Sequence, residues 1–252
     1  MAYEKILFDL DGTLTESGPG ITHAVQYALQ QVGIEEPDRA ELECFVGPPL
    51  NVMFRQRYGM DDETSAEAIK CFRKVYDGGM IFENRVYEGI PELLQELHEQ
   101  GIQLAIASSK PLPMVHKVLE HFGLEKYFDV IVGGKPSAEE DNQSSADHKL
   151  QMVKEALMKM GVENASQDAG REKEGEVSPQ CSKESRDKEK RENCAMVGDR
   201  CYDIKGALFN HVTAIGVTYG YGSREELEEA GADCIAESVT ELRQLLNAPK
   251  DA

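Results

Sequence analysis

The sequence predicts an α/β protein: a three-layer core around a parallel sheet, with one α-helical domain inserted into it. Three observations carry this. Short, β-branched runs that are apolar nearly throughout ("KILFDL", "IQLAIASS", "FDVIVGG", "CAMVGD", "VTAIGVT") read as strands buried on both faces. They alternate with amphipathic helical patterns, which calls for parallel pairing through right-handed crossovers. The alternation breaks between residues 16 and about 85, where two helical patterns follow one another with no convincing strand between them.

Taken in order, "KILFDL" is the first strand and runs into "DGTLTES". Asp11-Gly12 between apolar runs is a hairpin signal, so this stretch also reads as two short strands joined by a type I′ turn. The insertion follows at once with "GITHAVQYALQQVG" and "DDETSAEAIKCFRKVYDGG", placed where it could close over the strand ends. "PELLQELHEQG" resumes the core: Pro91 suits a first helical turn, Leu93, Leu94 and Leu97 share a face, and Gly101 stops the helix. "IQLAIASS" and "FDVIVGG" are the next strands. The helix "HKLQMVKEALMKMG" is expected to place Leu150, Val153 and Leu157 on one face and Lys149 at its first turn. Residues 165–192 are charged and nearly free of large apolar side chains, so they are expected to form a flexible, solvated surface loop. "CAMVGD" and "VTAIGVT" complete the main strands, with a shorter sixth, "ADCIA". "SREELEEAG" and "SVTELRQLL" each begin with a serine able to cap, and "SREE" fits a capping box. The expected division is a core of 1–15 and 86–252 with a helical domain of 16–85.

Composition narrows the function. A net charge of −19 over 252 residues argues against nucleic acid or an anionic membrane as main partner. An acidic chain that handles an anion needs a local positive centre, usually a metal ion. No apolar run reaches the roughly 18 residues of a membrane span, and the N-terminus lacks a signal-peptide pattern. Six scattered cysteines without a Cys-x-x-Cys pair disfavour a zinc ribbon and suit reduced thiols in the cytoplasm.

In parallel α/β sheets the site lies beyond the carboxyl ends of the strands. Those ends deliver Asp9 and Asp11, then Ser108, Ser109 and Lys110, then Asp199 with Asp203 four residues on. Lys149 joins them from its helix. Carboxylates converging in this way repel one another unless a divalent cation lies among them, and hard oxygen ligands in an incomplete cage favour Mg²⁺. A hydroxyl and a lysine at the same rim suit phosphoryl oxygens. Each piece alone has a plainer reading as a turn, a cap or a solvated charge; together, in this order, they point to a site.

"DLDGT", "IASSK", a downstream lysine and "VGDRCYD" resemble the four motifs of the haloacid dehalogenase superfamily of phosphohydrolases. "FVGPPL", "RVYEGIPELLQEL" and "TYGYGSREELEEAGAD" are similar to its phosphoglycolate phosphatase-like branch. The resemblance covers the chain except residues 165–192. It implies a Rossmann-like core, a helical cap over the strand ends and a small hairpin flap after the second aspartate. It also implies Asp9 as nucleophile and Asp11 as proton donor and acceptor. Mg²⁺ would be held by Asp9, the Asp11 backbone carbonyl, Asp199 and Asp203. Ser108 and the third-motif lysine would grip the phosphoryl group, with Gly12, Thr13 and Ser109 nearby. Lys149 is preferred to Lys135 for that lysine, because Lys149 leads directly into a helix. The cap would supply selectivity through "GPPL", Arg55 and Arg57. The implied partner is a small phosphate ester: phosphoglycolate, a nucleoside monophosphate, a sugar phosphate or pyrophosphate. A monomer or weak dimer is expected. A sugar-phosphate mutase on the same chassis is the rival enzyme; a receiver-like phospho-acceptor domain is the non-catalytic rival, though receivers are about half this length and lack the insertion.

Overall fold

The computed structural model describes residues 3–134, 145–162 and 193–247. Six strands form one parallel sheet: β1 (Lys5–Phe8), β4 (Gln103–Pro111), β5 (Val130–Gly134), β6 (Cys194–Gly198), β7 (Thr213–Val217) and β8 (Cys234–Ala236). Their spatial order is β5-β4-β1-β6-β7-β8. The chain therefore builds outward from β1 on one side, then returns to build outward on the other. The crevice beside β1 is the topological switch point at which such sheets hold their ligands.

Alternation along β1 explains why its sequence is apolar from Ile6 to Phe8. Ile6 and Phe8 pack beneath α4 (Ile90–Glu99), α5 (Leu112–His121) and α9 (Val239–Asn247). Leu7 packs beneath α6 (Ser145–Lys159), α7 (Cys201–Phe209) and α8 (Arg224–Ala230) on the opposite face. All three side chains are fully buried, each worth roughly 1.5–3 kcal/mol relative to exposure. Register then fixes the rim of the site. Phe8 lies level with Ile106 on β4 and Val197 on β6. The continuing chains accordingly bring Asp9, Ser108 and Asp199 out at nearly one height.

The insertion is helical, as its sequence predicts. It comprises α1 (Gly18–Gln31), a 3-10 turn (Ala40–Phe45), α2 (Leu50–Tyr58) and α3 (Asp62–Tyr76). Asp61 caps α3, accepting from the Thr64 N–H at 2.8 Å, and Arg73 and Lys74 in its last turn complement the helix dipole. Ala68, Ile69, Phe72 and Tyr76 line the buried face of α3, and α3 packs on α1.

The expected local hairpin after Asp11 is replaced by something longer-ranged. Asp11-Gly12 does turn, with the Gly12 N–H donating to the Thr15 carbonyl at 2.7 Å. The strand that follows, β2 (Thr15–Glu16), pairs antiparallel with β3 (Arg85–Val86), across the whole insertion. The two chain crossings between core and cap are thus tied together as one small ribbon. Two residues per strand cannot form an isolated hairpin; here the helical domain brings the strands together. The charged segment 165–192 and Lys135 lie outside the described residues. Among the described residues no helix is long and apolar enough to cross a membrane.

Candidate active site

Asp9 follows β1 directly, and its N–H continues the ladder to the Val197 carbonyl at 2.9 Å. The residue is only 6% exposed. Burial, reinforced by Asp203, raises its pKa from 3.8 to about 6, although Lys149 pulls the other way. Asp9, Asp199 and Asp203 offer oxygens that all lie within 4.8 Å of one another, and all three residues are buried. Asp199 has no ammonium or guanidinium within ion-pairing distance among the described residues. It accepts from the Tyr221 N–H at 2.8 Å and from Thr13 Oγ1 at 3.5 Å. Its pKa is raised well above the ordinary value by burial and by Asp203 and Asp9. Three buried carboxylates in this state fit a hard divalent cation of the Mg²⁺ type, which would repay their desolvation.

Lys149 supplies the positive charge already in place. Its Nζ lies 2.8 Å from Asp9 Oδ1, 2.8 Å from Asp203 Oδ1 and 2.9 Å from the Ala107 carbonyl. Burial alone would depress its pKa, but the two carboxylates outweigh that and hold it above the ordinary range. Among the described residues its helix runs from Ser145 to Lys159. Lys149 occupies the core face with Val153, Ala156 and Leu157, whereas the expected Leu150 is half-buried. A lysine four residues before Val153 on a buried stripe was the sequence signal for this.

Asp203 is the third residue of α7 and accepts from the Arg200 backbone N–H at 3.0 Å. Ser108 is buried at the cavity floor, where its Oγ accepts from the Lys110 N–H at 3.3 Å. Gly12 has φ +84°, and a Cβ there would lie 2.1 Å from Asp199 Oδ2. Glycine is required at that position by conformation and by space alike. Its N–H donates to the Thr15 carbonyl at 2.7 Å, and Thr13 Oγ1 donates to Asp199 Oδ1 at 3.5 Å.

A cavity of about 220 Å³ opens between these residues and the cap. Asp9, Asp11, Ser108, Ser109, Lys149 and Asp203 line its core side, and Phe45, Leu50, Phe72 and Tyr76 contribute to its cap side. The "GPPL" stretch is present through Gly47, Pro48, Pro49 and Leu50. Arg55 and Arg57 are not: they project from α2 to ion-pair with Asp62 at 2.9 Å and Glu41 at 2.5 Å. The arginines on the wall are Arg73 and Arg200. Arg200 also ties core to cap, donating to the Val46 carbonyl at 2.9 Å while pairing with Glu226 at 3.0 Å. Lys110 also lines this wall; the sequence placed it at a strand end without assigning it a role.

A buried acidic triad with one lysine, at the switch point of a capped parallel sheet, defines a phosphoryl-handling enzyme. The chain belongs to the haloacid dehalogenase-like hydrolases and is a phosphatase of that family. The family model matches residues 6–170, and a second model of haloacid dehalogenase hydrolase-like proteins matches residues 151–242. The chain is 36% identical to a 5'-nucleotidase of Pseudomonas aeruginosa over 98% of this chain and 97% of that one. It is 30% identical to the tyrosine-protein kinase PtkA of Mycobacterium tuberculosis, over 96% of this chain and 72% of that one. A phosphoglycolate phosphatase of Aliivibrio fischeri is 27% identical, with 96% of each chain covered. Among solved structures, a predicted phosphatase from Clostridium acetobutylicum aligns with TM-score 0.80 and 38% identity, over 98% of this chain and 99% of that one.

Proposed function

We propose that this phosphatase hydrolyses a small phosphate monoester, phosphoglycolate-like or a nucleoside monophosphate, through an aspartyl-phosphate on Asp9. The observation that carries the reading is the Asp9 carboxylate at the end of β1, held 2.8 Å from Lys149 and facing a cavity that Asp11 and Ser108 also line. An Asp9 oxygen attacks phosphorus, the ester P–O bond breaks, and Asp11 protonates the leaving oxygen. Water then attacks the aspartyl-phosphate and gives a proton to Asp11. The Asp9–phosphate bond breaks, its electron pair returns to the carboxylate, and inorganic phosphate departs. Lys149 and Ser108 hold phosphoryl oxygens through both halves. Asp9, Asp199, Asp203 and the Asp11 carbonyl would hold Mg²⁺, which supplies charge screening between the anionic nucleophile and the anionic ester. The cavity lies below the roughly 300 Å³ at which pockets for drug-sized ligands begin, which supports a small ester. The aromatic and proline wall suits a flat or apolar group, and Arg73 and Arg200 suit a second anionic group. In this reading, residues 1–15 and 86–252 are the catalytic core and 16–85 the selectivity cap.

The test is phosphate release from a panel of monoesters, with and without Mg²⁺. Release should stop in excess chelator and return with Mg²⁺. Ca²⁺ should inhibit, because its longer bonds and higher coordination number favour bidentate capture of Asp9. Full activity in excess chelator would remove the acidic triad from the mechanism, and an isomerised sugar phosphate without phosphate release would make the enzyme a mutase.

The triad also predicts a pH dependence of stability in the metal-free protein. Asp9 and Asp199 have folded-state pKa values above their unfolded ones. The stabilising contribution of Asp9 is therefore complete only below about pH 4, the unfolded value, and is lost as pH rises through about 6, and Asp199 acts in the same direction. Mg²⁺ should raise Tm more at pH 8 than at pH 5. Thermal scans with equal shifts at both pH values would contradict this.

A further inference from the structure

Lys110 has no part in the chemistry above, yet it is only 9% exposed. The β4–β5 ladder shifts register between Ser108, which faces Gly133, and Pro111, which faces Gly134. Ser109 and Lys110 therefore bulge from the strand, and bulges beside sites re-aim side chains. Gly133 is a condition of that bulge, since a Cβ there would lie 2.6 Å from Leu112 Cα and 2.9 Å from the Lys110 carbonyl. The re-aimed ammonium lies 3.0 and 3.2 Å from the two Asp11 oxygens, and it donates to the Tyr76 hydroxyl at 2.7 Å. Tyr76 is the last residue of α3 and belongs to the cap; its ring stacks on Phe72 at 4.9 Å. A single buried side chain thus grips a core carboxylate from both oxygens and a cap hydroxyl at once.

We infer that Lys110 is a positioning residue for Asp11, and that Tyr76 makes this positioning depend on a docked cap. The inference rests on the aspartyl-phosphate reading above. Held from one side by the ammonium, the Asp11 carboxylate keeps its remaining lone pairs for the water that cleaves the aspartyl-phosphate. A lysine stem is long and flexible, and the Tyr76 hydroxyl removes that freedom only when α3 lies over the core. Water activation is thereby confined to the closed form.

The step affected is the second half-reaction, so the experiment reads the phosphoenzyme. Wild-type protein, Lys110→Met, Tyr76→Phe and Asp11→Asn are mixed with p-nitrophenyl phosphate and Mg²⁺, quenched in acid, and the phosphorylated fraction is measured by intact mass. Lys110→Met should lower steady-state turnover about 10- to 100-fold, part of the roughly 10²–10⁴ that a positioned base supplies. Its phosphorylated fraction should exceed that of wild type. Tyr76→Phe removes one hydroxyl without threatening the fold and should act in the same direction, by about 3- to 10-fold. Both should keep the Mg²⁺-dependent rise in Tm. A merely structural role would lower turnover and the phosphorylated fraction together, and that result in both variants overturns the inference. Asp11→Asn separates the two readings. If it accumulates phosphoenzyme and Lys110→Met does not, the inference about Lys110 fails alone. If wild type and every variant lack phosphoenzyme while hydrolysing ester, the aspartyl-phosphate reading fails with it.

Discussion

Asp9→Asn should lower turnover at least about 10³-fold, because an amide retains the shape but neither the nucleophilic charge nor a full metal ligand. The protein should remain folded. Lys149 keeps Asp203 at 2.8 Å, and the triad loses one of three mutually repelling carboxylates. Because burial has pushed the Asp9 pKa up to about 6, the ionised group is a burden on the metal-free fold at neutral pH. Metal-free Asp9→Asn should therefore melt at or above the wild-type temperature at pH 7.5, with the difference closing towards pH 4. Calorimetric scans with phosphate release on the same samples check both halves. Near-wild-type phosphate release from a sequence-verified Asp9→Asn protein would remove Asp9 as the nucleophile.

Lys149→Ala should lower turnover at least about a hundredfold, given how strongly a charge already placed at a phosphoryl group counts. Unlike Asp9→Asn, it should also destabilise the metal-free protein, since Asp9 and Asp203 would lose their shared cation in a buried setting. Breaking one side of such a pair costs on the order of 3–5 kcal/mol, and Mg²⁺ should restore part of it. Lys149→Met tests the same charge with less cavity, and should show the same catalytic loss with a smaller stability loss. Lys135→Ala should change turnover by little. The opposite ranking of the two lysines would place the third motif at Lys135.

The core and the carboxylates of the candidate site were legible in the sequence because both rest on local rules. A strand segment buried on both faces must be apolar at every position, so "ILF" and "CAMVG" declare themselves, and an aspartate just past such a run can only emerge at the rim. Asp9, Ser108 and Asp199 needed no more than strand alternation and the rule that sites lie at carboxyl ends. Lys149 was legible in part. Its helix was readable, but the burial of the lysine depends on Asp9 and Asp203, residues more than 50 positions away that offset the cost of burying it.

What tertiary structure alone decided lies where long-range packing overrides local pattern. The turn at Asp11-Gly12 signals a hairpin, yet its partner strand lies at Arg85–Val86, because docking of the cap brings the two crossings together. Arg55 and Arg57 look as suitable for an anion as Arg73 and Arg200 do. The rotation of α2 spends the first pair on Asp62 and Glu41, while α3 and the loop before α7 bring the second pair to the cavity. Lys110 reads as the end of a strand until a bulge, permitted by Gly133 on the neighbouring strand, turns it onto Asp11 and Tyr76. Periodicity specifies which face of an element is apolar; which polar side chain on the other face meets a ligand is set by how elements dock, and that depends on contacts far apart in the chain.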